Sequence, residues 1–360
     1  MGSGAVTKTP WWSWAWPALA ALLLALQLIW HVGEYFAILE AISLIGAVFA
    51  AVYHAEVVAH RVGEPFGSLV LALAVTIIEV ALIVSVMITG GSETSELARD
   101  TVFAAVMIVC NGIVGLCLLA GGLRHREQGF QLQGANAALS ILIALTCLTM
   151  VFPNVTVTTA GPSFSNSQLV FAAIVSLILY GSFLFVQTVR HRVFFLAVGG
   201  EEEHATPPTN RTALASCGLL LVSLVAVVGL AKALTPILES GIDRVGAPKS
   251  VVGIVIAGLV LMPEGLAAFR AAAANRLQTS MNLALGSALA SIGLTIPAVA
   301  AVSILLVKPL TLGLMPKEIV LLVVTLILSI LTLGTGRTTV LQGIVHLVIF
   351  AAFLFLAVVP

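Results

Sequence analysis

Charged residues are scarce in this sequence of 360 residues. Asp, Glu, Lys and Arg together make up 9% of the chain, whereas 60% of it is hydrophobic and the mean hydropathy is +1.14. So few polar side chains cannot cover a water-exposed globular surface, which excludes a soluble fold. The 16 basic residues balance the 16 acidic ones, so no net positive charge is available to attract nucleic acid. We therefore expect a membrane protein whose surroundings are the lipid bilayer, with no nucleic-acid role.

Motifs for metal-dependent, nucleotide-dependent or covalent catalysis are also missing. The four cysteines show neither a zinc spacing nor a disulfide framework, and no P-loop pattern for nucleotide binding occurs. His54 and His60 in "HAEVVAH" are six residues apart, so they do not share a helix face as the two histidines of a metalloprotease motif do. The sequence predicts no enzyme, no cofactor and no nucleotide.

Long apolar runs are abundant, and they have the length of transmembrane helices. They lack the alternation of an outer-membrane barrel, so the predicted fold class is an all-α polytopic membrane protein with about eleven transmembrane helices. The predicted spans are 14–30, 36–60, 67–89, 101–122, 134–152, 168–189, 213–233, 250–272, 280–305, 318–335 and 339–359.

The distribution of Lys and Arg predicts the orientation of these spans. With the N-terminus inside and the C-terminus outside, ten basic residues fall on the inner side and six on the outer side, as the positive-inside rule favours. The inner set is Lys8, Arg61, Arg124, Arg126, Arg190, Arg192, Arg211, Arg270, Arg276 and Arg337, and the outer set is Arg99, Lys232, Arg244, Lys249, Lys308 and Lys317.

One motif, E-x-x-x-x-R-V-G-x-P, occurs twice, at residues 56–65 and 239–248. The copies lie between spans 2 and 3 and between spans 7 and 8, five spans apart. An odd offset reverses direction in the membrane, which predicts two inverted-topology repeats, an architecture common in transporters. A duplication retained without any transport function is the alternative. The predicted organisation is an N-terminal segment with one extra helix (1–35), a first repeat of five helices (36–189), an acidic cytoplasmic linker (190–211) and a second repeat of five helices (212–360).

A glutamate follows each copy of the motif and falls near the middle of the next span. Glu79 stands 18 residues after Arg61, and Glu264 stands 20 residues after Arg244. An intramembrane carboxylate costs roughly 2.5–3.5 kcal/mol on insertion scales, so its presence indicates function. At equivalent positions of inverted halves, the two would meet at one central site. The alternative is that each glutamate pairs separately with a structural hydrogen-bond donor.

Pro263 directly precedes Glu264 and cannot donate a hydrogen bond to the carbonyl of Leu259. With Gly265 loosening the same turn, we expect span 8 to be kinked or broken here, which frees carbonyl oxygens that could coordinate a cation. Such kinks also occur in transmembrane helices that bind nothing.

Small and polar residues in spans 4 and 9 are further candidate ligands. Ser287 and Ser291 share a helix face, and Gly286 should permit a close helix approach beside them. In the first half, the matching span offers Asn111. Each of these is equally explained as ordinary helix packing.

Several other ionisable residues are candidates for a proton pathway. Glu56 and His60 lie one helical turn apart near the inner mouth, Glu239 is the repeat equivalent of Glu56 at the outer mouth, and His346 lies within span 11. The alternatives are ion pairs with neighbouring arginines for the carboxylates and packing for the histidine. Glu40 and His54 in span 2 are similar intramembrane candidates.

Three segments resemble the calcium/cation antiporter superfamily, in particular its bacterial ChaA-type cation/proton exchangers: "HAEVVAHRVGEPFGSL", "PEGLAAF…NRLQTSMNLALGS" and "GTGRTTVLQGIVHL". The resemblance covers nearly the whole chain and includes an acidic linker, here residues 201–203. It implies that Glu79 and Glu264 are the central cation-binding and proton-exchanging carboxylates, in a protein of the bacterial inner membrane.

The sequence departs from the calcium exchangers of this superfamily at two signatures. Those exchangers typically have G-N-A-x-E before each glutamate, where this chain has "VTIIE" and "VLMPE". Of the paired G-S signatures, Gly286 and Ser287 are present, whereas Ala104 and Ala105 occupy the first-half equivalent. Calcium takes six to eight oxygen ligands, and Thr76, the serines, backbone carbonyls and water would have to supply them. Na+ and K+ are therefore alternatives to Ca2+ as the transported cation.

If Glu79 and Glu264 are buried close together, their negative charges repel each other, and either protons or a metal cation can neutralise them. Protons and the cation therefore compete for the same site. This competition predicts exchange of cytosolic Ca2+, or alternatively Na+ or K+, for external H+ by alternating access. A passive cation channel using the same glutamates is the alternative from another class. The partners are inorganic cations and protons, and the oligomeric state stays open.

Overall fold

The structure, a computed structural model, describes residues 9–30, 36–63, 66–89, 95–196, 207–246, 248 and 250–359. Helices account for almost all of this part of the chain. The α-helices are α1 (Trp12–Trp30), α2 (Ala37–Val62), α3 (Phe66–Thr89), α4 (Leu97–Met107), α5 (Val114–His125), α6 (Leu132–Thr146), α7 (Asn166–Phe185), α8 (Asn210–Val245), α9 (Ser250–Ala273), α10 (Leu277–Ala290), α11 (Ile296–Leu306), α12 (Pro316–Leu333) and α13 (Val340–Val358).

Short π-helices, whose backbone turns are one residue wider than those of an α-helix, continue four of these helices. They are π1 (Ile108–Ile113) after α4, π2 (Cys147–Val151) after α6, π3 (Val186–Arg190) after α7 and π4 (Ser291–Thr295) after α10. Short 3₁₀ helices occupy Phe152–Asn154 and Arg192–Phe195, and two strands, β1 (Glu127–Gly129) and β2 (Arg337–Thr339), pair antiparallel.

The predicted all-α polytopic fold is confirmed. Ten helical stretches in the described residues are long and apolar enough to cross a bilayer, and α3 contributes a further apolar stretch, Leu69–Ser85. In hydrocarbon every backbone N–H and C=O must be paired within the segment, which is why such apolar runs are helical. The largest difference from the predicted spans is α8, which continues past residue 233 to Val245.

The repeated motif forms the same local structure in both copies. Its glycines, Gly63 and Gly246, directly follow α2 and α8 and have φ angles of +75° and +68°. L side chains rarely adopt these angles, so glycine is the residue that can end both helices in this way. The N–H of Gly63 closes the last turn of α2 on Ala59 O at 2.9 Å. Glycine at this position of the motif therefore has a structural explanation.

The chain forms two compact units, and two of the three boundaries between them lie within α3 and α8. The first unit is Met1–Ile78 with Thr206–Ile237. Here α1 packs along α2: the rings of Trp12 and Tyr53 meet edge to face at 5.2 Å, and His54 Nε2 lies 2.8 Å from Ser13 O. This bond pairs the buried His54 with the backbone of α1.

The second unit, Glu79–Ala205 with Leu238–Pro360, contains α4–α7 and α9–α13. Glycines allow its helices to approach closely. A Cβ atom built on Gly253 of α9 would lie 2.9 Å from the backbone N of Thr101 in α4, and one on Gly343 of α13 would lie 2.5 Å from the backbone N of Leu119 in α5. Close backbone packing of this kind is a main source of helix association in a bilayer.

Candidate ion-binding site

Glu79 lies within α3 with its side chain 2% exposed. Ser291 Oγ donates a hydrogen bond of 2.8 Å to Glu79 Oε2, which joins two residues 212 positions apart. The other carboxylate oxygen, Oε1, is buried and has no hydrogen-bond partner among the described residues. The carboxylate is therefore fixed through one oxygen, and the other can take a proton or a cation.

Ser291 is the first residue of π4, which lies between α10 and α11. Pro297, near the start of α11, has no N–H and so cannot close an α-helical turn on the carbonyl of Gly293. A wider π turn at this point is a common response, and π-helices often occur at functional sites. Thr295 ends the same π-helix, and its buried hydroxyl lies near the Glu79 carboxylate.

Glu264 is buried on α9, directly after Pro263. Span 8 is predicted to be kinked or broken at Pro263; a break is wrong, because α9 runs without interruption from Ser250 to Ala273, and the kink stays a prediction. A single proline removes one hydrogen bond, and membrane helices tolerate this loss when neighbouring helices support them. Gly265, the next residue, faces π1: a Cβ built there would lie 2.9 Å from Ile113 Cδ1. Glu264 thus lies on a helix that packs against span 4.

The helix α9 also packs against α10, which leads into π4 and Ser291. Among the predicted site residues, the structure brings Glu79 and Ser291 together by a direct hydrogen bond. The pairing of Glu79 with Glu264 in one central site stays a prediction.

Asn111 and His346, predicted as separate candidates for cation and proton, are in contact. Asn111 Oδ1 lies 3.1 Å from His346 Nδ1, and Asn111 Nδ2 donates to Thr325 Oγ1 at 2.8 Å. All three side chains are fully buried. The structure therefore places Asn111 in a hydrogen-bonded cluster with α12 and α13.

The other predicted residues have varied surroundings. Thr76 is buried on α3, whereas Glu56 and His60 are exposed on α2. Ser287 is half-buried, and its hydroxyl has no hydrogen bond with another described residue. Glu239 belongs to α8, but its side chain lies outside the described part, as do the acidic linker residues 201–203.

The expectation that Gly286 permits a close helix approach is wrong. Among the described residues, no atom of another helix lies within 4 Å of a Cβ built on it, and it lines a small cavity together with Gln278, Asn282 and Phe195. Glycine is small enough to allow contact, but only the arrangement of neighbouring helices decides whether contact occurs.

Sequence reasoning missed several polar groups of this unit. Thr325 and Thr332 of α12 take part in the Asn111 cluster, yet in sequence they look like ordinary threonines of an apolar span. Arg99, assigned to an outer loop, is 2% exposed and forms 2.8 Å ion pairs with Glu96 and Asp100. Glu96 and Asp100, close to Arg99 in sequence, could have indicated that this arginine is buried, because a buried arginine requires paired negative charges.

The described residues contain no group of three or more His, Cys, Asp or Glu side chains arranged to hold a metal ion. The oxygen atoms found at Glu79 come from a carboxylate and a hydroxyl. Such hard oxygen donors suit Ca2+ and other hard cations rather than transition metals.

The membrane-length helices, with carboxylates and polar clusters buried among them, define a polytopic membrane protein. A sequence model of the sodium/calcium exchanger protein family matches residues 35–189 and 215–359, so the chain belongs to this family.

Three comparisons describe its similarity to known proteins. The chain is 51% identical to y4hA of Sinorhizobium fredii, named provisionally as an ionic transporter, over 98% of this chain and 97% of that protein. It is 37% identical to the sodium-potassium/proton antiporter ChaA of Escherichia coli, over 88% and 87% of the two chains. The structure superposes on the crystal structure of a Ca2+/H+ antiporter, YfkE, with a TM-score of 0.72 at 17% sequence identity. The match covers 97% of this chain and 99% of the YfkE chain. This last likeness concerns the fold.

Proposed function

We propose that this protein exchanges a cytosolic cation for external protons by alternating access at a site that contains Glu79 and Glu264. The observation that carries the proposal is the state of Glu79, which is buried with one oxygen held by Ser291 and the other without a hydrogen-bond partner in the described residues. A buried carboxylate is costly when charged and uncompensated, so a proton or a cation should occupy it in turn.

Ca2+ is the first candidate for the cation, with Na+ or K+ as the second. The second candidate is favoured by the 37% identity to a protein named as a sodium-potassium/proton antiporter. It is also favoured by Asn111, whose amide oxygen faces His346. Calcium takes six to eight oxygens, so each amide oxygen engaged elsewhere makes a complete calcium shell harder to form.

The test uses purified protein in liposomes with an imposed pH gradient and a trapped pH dye. We expect Ca2+, Na+ or K+, added in separate runs, to dissipate the gradient. The ion that acts at the lowest concentration identifies the preferred cation. A channel would instead pass tracer cation without obligatory proton movement, and that result would reject the antiporter.

Glu79→Gln and Glu264→Gln should each abolish exchange, because the amide keeps the shape of the side chain but cannot be ionised. A matched control is Glu127→Gln, since Glu127 is an exposed residue of β1 paired with Arg337 at 3.4 Å. We expect the control to exchange at the wild-type rate, because exposed ion pairs contribute little. Near-normal exchange in either membrane variant would refute the role given to that glutamate.

A further inference from the structure

A row of buried polar side chains connects π1 with α12 and α13. Asn111 of π1 contacts Thr325 of α12 and His346 of α13, and His346 Nε2 lies 3.1 Å from Thr332 Oγ1. Thr325 Oγ1 in turn lies 3.4 Å from the sulfur of Met107. Each of these side chains is at most 1% exposed, so they depend on one another for hydrogen bonds.

The donors and acceptors of this row have one consistent direction. Because Asn111 Nδ2 donates to Thr325, Asn111 Oδ1 is the acceptor toward His346, and His346 Nδ1 carries the hydrogen. In the neutral ring Nε2 then accepts from the hydroxyl of Thr332. Rotating the carboxamide of Asn111 by half a turn would require Thr325 to donate its hydroxyl hydrogen to Asn111 instead of to the sulfur of Met107, and His346 to carry its ring hydrogen on Nε2. The contact of Thr325 with Met107 therefore favours the orientation described.

Glycines of span 4 bring His346 within reach of Asn111. A Cβ built on Gly115 would lie 3.1 Å from His346 Cβ, and one on Gly112 would lie 3.2 Å from Phe350 Cζ. Larger residues at these two positions would hold α13 away from π1 and α5. The hydrogen bond between Asn111 and His346 therefore depends on this close packing.

The opposite side of π1 packs against the helix that carries Glu264. Ile113 lies against Gly265, the residue after Glu264, and Ile108 is 4.0 Å from a Cβ built on Gly258 of the same helix. A rotation of π1 would move both isoleucines and disturb the backbone next to Glu264. The orientation of π1 and the geometry around Glu264 are thus linked through direct contacts.

We propose that His346 is a positioning residue for ion exchange. Its Nδ1–H donates a hydrogen bond to the Asn111 carboxamide, and this bond fixes the rotation of π1. The rotation of π1 in turn fixes the position of Ile108 and Ile113, against which the part of α9 around Glu264 packs. The inference rests on the proposed function, because it assigns His346 an effect on the site of Glu264 without contact to the ion.

The test is a double-mutant cycle of His346→Leu and Asn111→Ala, measured as the half-saturating cation concentration and the maximal rate of exchange. We expect His346→Leu to raise the half-saturating concentration about tenfold or more, as is typical when a group that orients a binding site is lost. The double variant should be little worse than either single one, because both remove the same hydrogen bond. His346→Gln should restore much of the affinity, since its amide N–H can donate to Asn111.

A matched control is His191→Leu, because His191 is exposed at the end of π3 and stacks on Phe194. The control should retain the wild-type half-saturating concentration. If His346→Leu lowers only the maximal rate, or if the effects of the two single variants multiply in the double variant, the positioning role is rejected.

The same cycle measured by thermal unfolding separates failure of this inference from failure of the proposed function. If no cation moves protons in the wild type, the proposed function fails. The coupling of His346 to Asn111 is then judged from the melting temperatures alone, and additive shifts would reject it.

Discussion

At the scale of single residues, the two oxygens of the Glu79 carboxylate have different surroundings. Oε2 accepts a hydrogen bond from Ser291, and Oε1 is buried without a partner among the described residues. A hydrogen bond to a charged group contributes about 1.5–3 kcal/mol, so Ser291 strongly restricts how the carboxylate can turn. The free oxygen is then presented in one fixed direction.

This arrangement predicts that Ser291→Ala raises the half-saturating cation concentration by about tenfold, which corresponds to about 1.4 kcal/mol. The maximal rate should change less, because Glu79 itself is intact. Ser291→Thr keeps the hydroxyl and should be close to wild type. Proteoliposome flux over a series of cation concentrations measures both quantities.

Ser176→Ala is the control for this serine. The Ser176 hydroxyl on α7 is buried without a hydrogen-bond partner in the described residues, so its removal breaks no bond. If Ser291→Ala and Ser176→Ala show the same affinity, Ser291 does not orient the carboxylate.

At the scale of helices, the sequence predicts the spans to within a few residues except at the end of α8, because length and hydropathy are local properties. It does not predict the π-helices. Even at π4, where Pro297 accounts for the wider turn, a proline in the sequence does not by itself distinguish a π turn from a kink, and the packing of neighbouring helices decides between them. The contact between Asn111 and His346 joins residues 235 positions apart, and no local pattern encodes it. At Pro263 only the predicted break is wrong, because the proline is visible in sequence whereas the packing that keeps α9 continuous is not.

The helix ends at the repeated motif allow a direct test of backbone strain. Gly63 has φ +75° and ψ 170°, a region that only glycine adopts readily, and apart from its chain neighbours no described residue has an atom within 4 Å of a Cβ built there. Gly63→Ala should therefore destabilise the protein through the backbone alone, by about 1–3 kcal/mol. A lower melting temperature in detergent would show this.

Gly181→Ala is the comparison for Gly63→Ala. Gly181 also has open space around it but lies inside α7 without a positive φ. Alanine is favoured over glycine within a helix by about 1 kcal/mol, so this variant should melt at or above the wild-type temperature. Equal melting temperatures for the two variants would contradict the explanation of the motif.

At the scale of the whole molecule, the two copies of the motif end helices α2 and α8, which are the second and seventh spans and so lie five spans apart. The family match also falls into two segments, residues 35–189 and 215–359. Both observations indicate two related halves, and their inverted topology stays a prediction. In addition, π1 and π4 lie in spans 4 and 9, which are five spans apart.

The predicted orientation can be tested with single cysteines in a background without Cys110, Cys117, Cys147 and Cys217. Val157 follows span 5 and is 97% exposed, whereas His191 follows span 6. With the N-terminus inside, a membrane-impermeant maleimide should label Val157→Cys in intact cells and His191→Cys only after permeabilisation. The reverse pattern would show that the orientation is inverted.

The short ladder between β1 and β2 affects how the protein can be modified. Glu127 pairs with Thr339 and Gly129 with Arg337, so the loop between α5 and α6 is tied to the loop between α12 and α13. Loops of membrane proteins usually accept inserted tags, because few contacts depend on them. An insertion in either of these two loops would separate the strands beside the packed helices α5 and α13. A fluorescent or epitope tag is therefore better placed near Val157, where the chain is open to solvent.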